Sequence, residues 1–138
     1  MSATQFENLC TGLCAVAACA PLQFAVNDAG ARAASLMQDG VEVTLAHDPS
    51  RGSGHAFVQV RFGSLPEGRE LAACIALLQT TSLMLSAQSP AFGLDPVTGE
   101  VVLHHRCELR STTPPDLYQM IVRLCGIARD WRDTHFLP

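Results

Sequence analysis

Charge is what this sequence has least of. Asp, Glu, Lys and Arg make up only 16% of its 138 residues, and none falls between Leu71 and Leu94. In a soluble protein an uncharged stretch of that length implies burial on two sides, a core on one and a second subunit on the other. The rival, a membrane span, is excluded by detail: the continuous apolar part stops at Leu78, and Gln79, Thr80, Thr81, Ser82 and Pro90 interrupt the ~20 apolar residues a span requires. The N-terminus lacks a basic region ahead of its first apolar run, so it does not read as a signal peptide, and the protein is expected to stay in the cytoplasm. A formal net charge of -4 repels phosphates and anionic head groups, which argues against nucleic acid as a partner.

Reactive motifs are also missing. There is no CxxC or HExxH spacing, and Arg51-Gly52-Ser53-Gly54 lacks the lysine and the following helix of a phosphate loop. His104, His105 and Cys107 form a suggestive cluster. In a strand, however, His105 and Cys107 share a face while His104 points the other way, and two ligands make no metal site. A thiol enzyme needs a cysteine beside a histidine in an electropositive, partly exposed place. Cys107 is the one cysteine near histidines, and its alternation favours packing. The six cysteines read as reduced thiols, with Cys10, Cys14, Cys74 and Cys125 at apolar helix positions. His47, His55 and His135, at strand, loop and chain ends, read as solvated.

What is present is periodicity. Ser64 and Glu67 have capping-box spacing with Pro66 in the first turn, which predicts a helix over Ser64 to Leu85. Leu71, Ile75, Leu78, Ser82 and Leu85 make one stripe of it; Ala73, Ala76, Leu77, Thr80, Thr81 and Met84 make a second. An earlier helix is expected from about Thr4 to Ala20, with Phe6, Leu9, Cys10, Leu13, Cys14, Val16 and Ala17 apolar and Pro21 stopping it. Leu22 to Val26 is a short extended piece. Strands are expected over Ala33–Gln38, from Val41, and over His55–Gly63, with an Asp39-Gly40 hairpin turn between the first two. Asp48 to Gly54 reads as a surface loop. A hairpin follows, Ala91 to Leu94 and Glu100 to Leu109. Ser111 to Asp116 then opens a last helix with Leu117, Ile121, Leu124, Ala128 and Trp131 inward. The order is α-β-β-β-α-β-β-α, an α+β fold with an antiparallel sheet in a single domain over residues 1–138.

Phe62-Gly63-Ser64-Leu65-Pro66 entering the middle helix, Phe92-Gly93-Leu94-Asp95-Pro96 with Thr98-Gly99 and Val101, and Ala128 with Trp131 together resemble the class I chaperones of bacterial type III secretion, the CesT/Tir-chaperone-like family. The resemblance implies a homodimer through the middle helix, with Leu77, Thr80, Thr81 and Met84 of the second stripe and Phe92 at the interface. It implies no catalysis and no cofactor. Its implied partners are the secretion-system ATPase and a secreted effector, whose N-terminal segment is held partly extended. Phe6, Leu9 and Leu13 on the first helix and Val43, Leu45 and Phe57 on the strands are candidates to contact that segment, ordinary core being the other reading of each. Two further readings stay open: a small-ligand sensor or interaction module of similar build, which needs an enclosed polar-lined pocket, and a thiol or metal enzyme centred on Cys107.

Overall fold

Valine and leucine at every second position commit one face of each central strand to a core, and the chain folds accordingly. The structure, a computed structural model, describes residues 2–51, 54–84 and 90–138. Its elements are α1 (Ser2–Ala17), β1 (Ala25–Val26), β2 (Arg32–Gln38), β3 (Val41–His47), β4 (His55–Gly63), α2 (Glu70–Leu83), β5 (Ala91–Leu94), β6 (Val101–Glu108) and α3 (Pro114–Thr134), with a 3-10 turn at Pro49–Arg51. The strands form one antiparallel sheet in the order β1-β2-β3-β4-β6-β5. The α+β class is as expected. The element order gains one strand, because the extended piece before Asn27 pairs with β2 through Ala25 and Val26 and becomes the sheet's edge. Leu85 and the loop residues Gly52 and Ser53 lie outside the described residues.

One face of the sheet carries Val41, Val43, Leu45, Val58, Val60, Phe62 and Leu103, and all are buried. Against it pack α1, through Phe6, Leu9 and Leu13, and α3, through Leu117, Ile121, Leu124, Ala128 and Trp131. Phe62 meets the Trp131 ring at 5.7 Å and the Phe92 ring edge-on at 5.2 Å, so the centre of the core is aromatic. α1 and α3 approach closely where Gly12 faces Pro114. Arg132 of α3 ties the helix to the sheet, donating to the carbonyls of Phe62 (2.6 Å), Arg61 (3.0 Å) and Gly40 (3.2 Å). Three charge-assisted bonds from one guanidinium fix α3 over the β4 bulge, where Gly63 has φ 126°, a conformation a side chain would strain.

Two local expectations need correction. Ser64 and Glu67 form no capping box. Gly68 turns left-handed (φ 81°), the Arg69 N–H bonds to the Pro66 carbonyl, and α2 starts only at Glu70 with no side-chain cap. The capping box of this chain is at α3, where the Thr113 hydroxyl accepts from the Asp116 N–H and the Asp116 carboxylate from the Thr113 N–H. His47, expected in solvent, is fully buried and stacked on Phe6 with ring centroids 5.5 Å apart. It ends β3 on the inward alternation, and α1 covers that end.

Candidate functional site

Helix α2, uncharged after Glu70, turns its two stripes in the opposite sense to the one expected. Leu77 is 5% exposed and Ala73 wholly buried, so this stripe faces the domain, while Leu71, Ile75, Leu78 and Leu83 are 75%, 47%, 70% and 87% exposed. Alanine at 73 lets the helix approach the sheet closely, and Leu77 fills the space beneath. Thr80, Met84 and Phe92, together with His105 and Ile127, border a cavity of about 270 Å³ between α2, the hairpin and α3. Thr80 tolerates this apolar setting because its hydroxyl bonds back to the Ala76 carbonyl at 2.8 Å. Thr81 is half-buried. Leu71, Ile75 and Leu78 therefore stand in water on one helix face, with Leu83 exposed at the helix end.

The second uncovered surface is the face of the sheet opposite the helices. Alternation puts Ala33, Thr44, Ala46, Phe57, Gln59 and His104 there, and they border a trough of about 770 Å³. The register sets these neighbours side by side: Ala46 opposite Ala33 and Phe57, Thr44 opposite Ser35 and Gln59, Gln59 opposite His104. The Ser35 and Thr44 hydroxyls share a hydrogen bond of 3.0 Å. Small residues flanking one phenylalanine leave room for an added layer of side chains. A further cavity of about 600 Å³ runs along β2 from Ala33 to Met37, bounded by the chain between Cys19 and Ala25. β1 covers β2 only at Arg32 and Ala33, so the edge beyond is a ladder open to another strand.

Of the residues expected to contact an effector, Phe6, Leu9, Leu13, Val43 and Leu45 are all in the core and cannot line an open groove in this conformation. They belong to the inward periodicity of α1 and β3. Phe57 alone lies on the open face, because it is out of phase with Ala56, Val58 and Val60 on β4. Sequence reasoning missed Ala33, Ala46, Gln59 and His104; the signal available was the odd-numbered phase of β4 and its cross-strand partners.

Arg61 clasps the hairpin turn with bonds to Asp95 (3.0 Å) and Glu100 (3.0 Å). The Val97 N–H and Arg61 hold the Asp95 carboxyl below the usual carboxylate range. Burial pushes the Cys107 thiol up, which favours its protonated form. Burial, reinforced by Arg123, holds the His105 imidazole down. His104 lies on the opposite face of β6 from His105, as the alternation required, and no group of three or more metal-ligating side chains converges among the described residues. Among those residues, no helix is long and apolar enough to cross a membrane.

Two surfaces thus stand uncovered, the exposed side of α2 and the open sheet face, and the fold that carries them is shared with known chains. The structure is similar to the Yersinia pestis type III secretion chaperone SycH in complex with a stable fragment of YscM2 (TM-score 0.68, 16% identity, 91% of this chain and 98% of that one). It is similar also to the HopA1-SchA chaperone-effector complex (TM-score 0.70, 19% identity, 94% of each chain). A third likeness is to the ExoT-SpcS complex from Pseudomonas aeruginosa (TM-score 0.61, 16% identity, 91% and 96%). A search of curated proteins returns no match to the sequence. The model of the Tir chaperone protein (CesT) family matches residues 22–132, from the edge strand to the last helix, and the chain belongs to that family.

Proposed function

We propose that this protein is a cytoplasmic type III secretion chaperone that dimerises through the exposed stripe of α2 and holds the N-terminal segment of one secreted effector, in non-globular form, across the open sheet face and the β2 edge. The observation that carries the reading is the trough around Phe57. It is a long, open surface rather than an enclosed pocket, and it adjoins an unpaired strand edge. Ordering a flexible segment costs ~1–2 kcal/mol per residue in backbone entropy, and apolar burial returns ~25 cal/mol per Å². Each ordered residue must then hide roughly 40–80 Å² or gain backbone hydrogen bonds, and a groove beside a strand edge offers both. The relatives whose structures are chaperone-effector complexes support the same partner class. The secretion-system ATPase is a second partner in this reading.

Dimerisation follows from α2. Burying Leu71, Ile75 and Leu78 from two copies hides six large side chains, each contributing ~1.5–3 kcal/mol, and a two-fold contact uses each residue twice. An interface of ~1,600 Å² is enough to cover them. Capture of the tagged chain from its own bacterium, followed by mass spectrometry, tests the function: one dominant secreted protein, held by its N-terminal segment, is expected. Capture through a folded domain would contradict the reading.

A further inference from the structure

α1 ends in a cap made from two cysteines. Ala18 turns left-handed (φ 53°) and the Cys19 N–H donates back to the Cys14 carbonyl at 3.1 Å. This six-to-one bond across a left-handed residue is the Schellman arrangement, in which the side chains of its first and last residues meet. An apolar pair usually fills those positions; here both are cysteines. Cys14 is buried and Cys19 exposed. Cys10, one turn earlier on the same helix face, borders a cavity of about 230 Å³ together with both.

The other cysteines are placed differently. Burial and the neighbouring Cys14 and Cys107 push the Cys10 thiol up to about 12, and burial pushes Cys125 up to about 11. Such thiols stay protonated and out of reach of solutes. Cys74 lies on α2, half-buried. Cys19 is thus the one exposed thiol, and its backbone is bonded to a second cysteine.

We infer that Cys14 and Cys19 are a redox modification site, in which a small-molecule disulfide of the glutathione class converts an exposed attacking thiol and a buried resolving thiol into an intramolecular disulfide. The Cys19 thiolate attacks one sulfur of the small disulfide, forming a mixed disulfide and releasing one small thiolate, which takes a proton. Cys14, once deprotonated, attacks the Cys19 sulfur, closes the Cys14–Cys19 bond and expels the second small thiolate, which is protonated in turn. Two protein thiols are oxidised and one small disulfide is reduced to two thiols. The bond needs Cα atoms ~4.4–6.8 Å apart and side chains that face each other; the bond from the Cys19 N–H to the Cys14 carbonyl draws the two residues together, and both border the same small cavity. Desolvation and the Cys14 contact raise the Cys19 thiol above its ordinary value, so the reaction quickens as pH rises and more thiolate forms. Closure fastens the start of the connection that bounds the cavity along β2.

The test uses the full-length reduced protein, oxidised glutathione as the probe, and intact mass after acid quench and alkylation under denaturing conditions. Wild type should lose two of its six reactive thiols and about 2 Da, with no retained glutathione. Cys19→Ser, at an exposed position, should keep all its remaining thiols free. Cys14→Ser should accumulate a stable glutathione adduct on Cys19. Cys10→Ser and Cys74→Ser should behave as wild type. The sequence has no Lys or Arg before Arg32, so trypsin leaves all three helix and cap thiols on one peptide and the variants make the assignment. Retention of six reactive thiols in wild type, a disulfide that persists in Cys19→Ser, or a mixed disulfide that never closes would each overturn the inference. If circular dichroism shows Cys14→Ser unfolded, wild type and Cys19→Ser decide alone.

Discussion

Gly12 sits where α1 passes the first turn of α3, and a Cβ built on it would lie 2.4 Å from the Pro114 Cγ. Alanine gains ~1 kcal/mol of helix propensity over glycine, yet overpacking against a rigid ring costs ~1–3 kcal/mol. Gly12→Ala should therefore destabilise, by about 1 kcal/mol, and a lower thermal midpoint checks it. Titration acts at the same scale. Cys10 and Cys125 hold their protons in the fold far above the ordinary thiol range. Their contribution is complete below the unfolded thiol value and is lost as pH rises through the folded one, roughly 1 kcal/mol per thiol by about pH 10. His105 has the opposite sign: burial depresses it, so stability is full above the unfolded imidazole value and declines as pH falls below it. Denaturant midpoints across pH should fall on both sides of neutrality. Cys10→Ala should flatten the alkaline limb and His105→Gln the acid one; limbs that keep their slopes would remove these residues as the cause.

Helix α2 shows what the elements can and cannot declare. Its existence and lack of charge were legible, because periodicity survives any tertiary context. Which stripe faces inward was not. Both are uncharged, and the choice rests on a small residue at Ala73 that permits close approach. The same limit explains Ser64 and Glu67: their spacing suits a helix start, but the left-handed Gly68 ends the turn between them and Glu70. β1 was missed because two residues are too few to show alternation. The consequence is a separation of effects. Leu78→Arg places two charges in a symmetric contact and should convert a dimer to a monomer by light scattering, with the unfolding midpoint of the separated subunit unchanged. Leu77→Ala empties a core position and should cost ~2–3 kcal/mol of stability. A wild-type monomer at micromolar concentration would contradict the interface.

At the scale of the whole molecule, the sheet divides two tasks. One face is filled by α1 and α3, and the other carries small side chains around Phe57 with an open edge beside it. The family and class were readable because turn and helix motifs recur along most of the chain, from Phe62-Gly63 to Trp131. The residues that line the open face were not, since apolar positions of α1 and β3 look alike whether they meet a core or a partner; of the candidates, Phe57 alone lies on that face, and its neighbours Ala33, Ala46 and Gln59 carry no apolar signal of their own. The most direct test of the central claim is hydrogen exchange on this chain with and without its captured effector, read on both proteins. The account predicts a long contiguous protected stretch near the effector's N-terminus, an unchanged pattern in its downstream domain, and new protection in this chain at β2 and across the Phe57 face. Protection confined to a folded effector domain, with β2 and the Phe57 face exchanging as before, would contradict it.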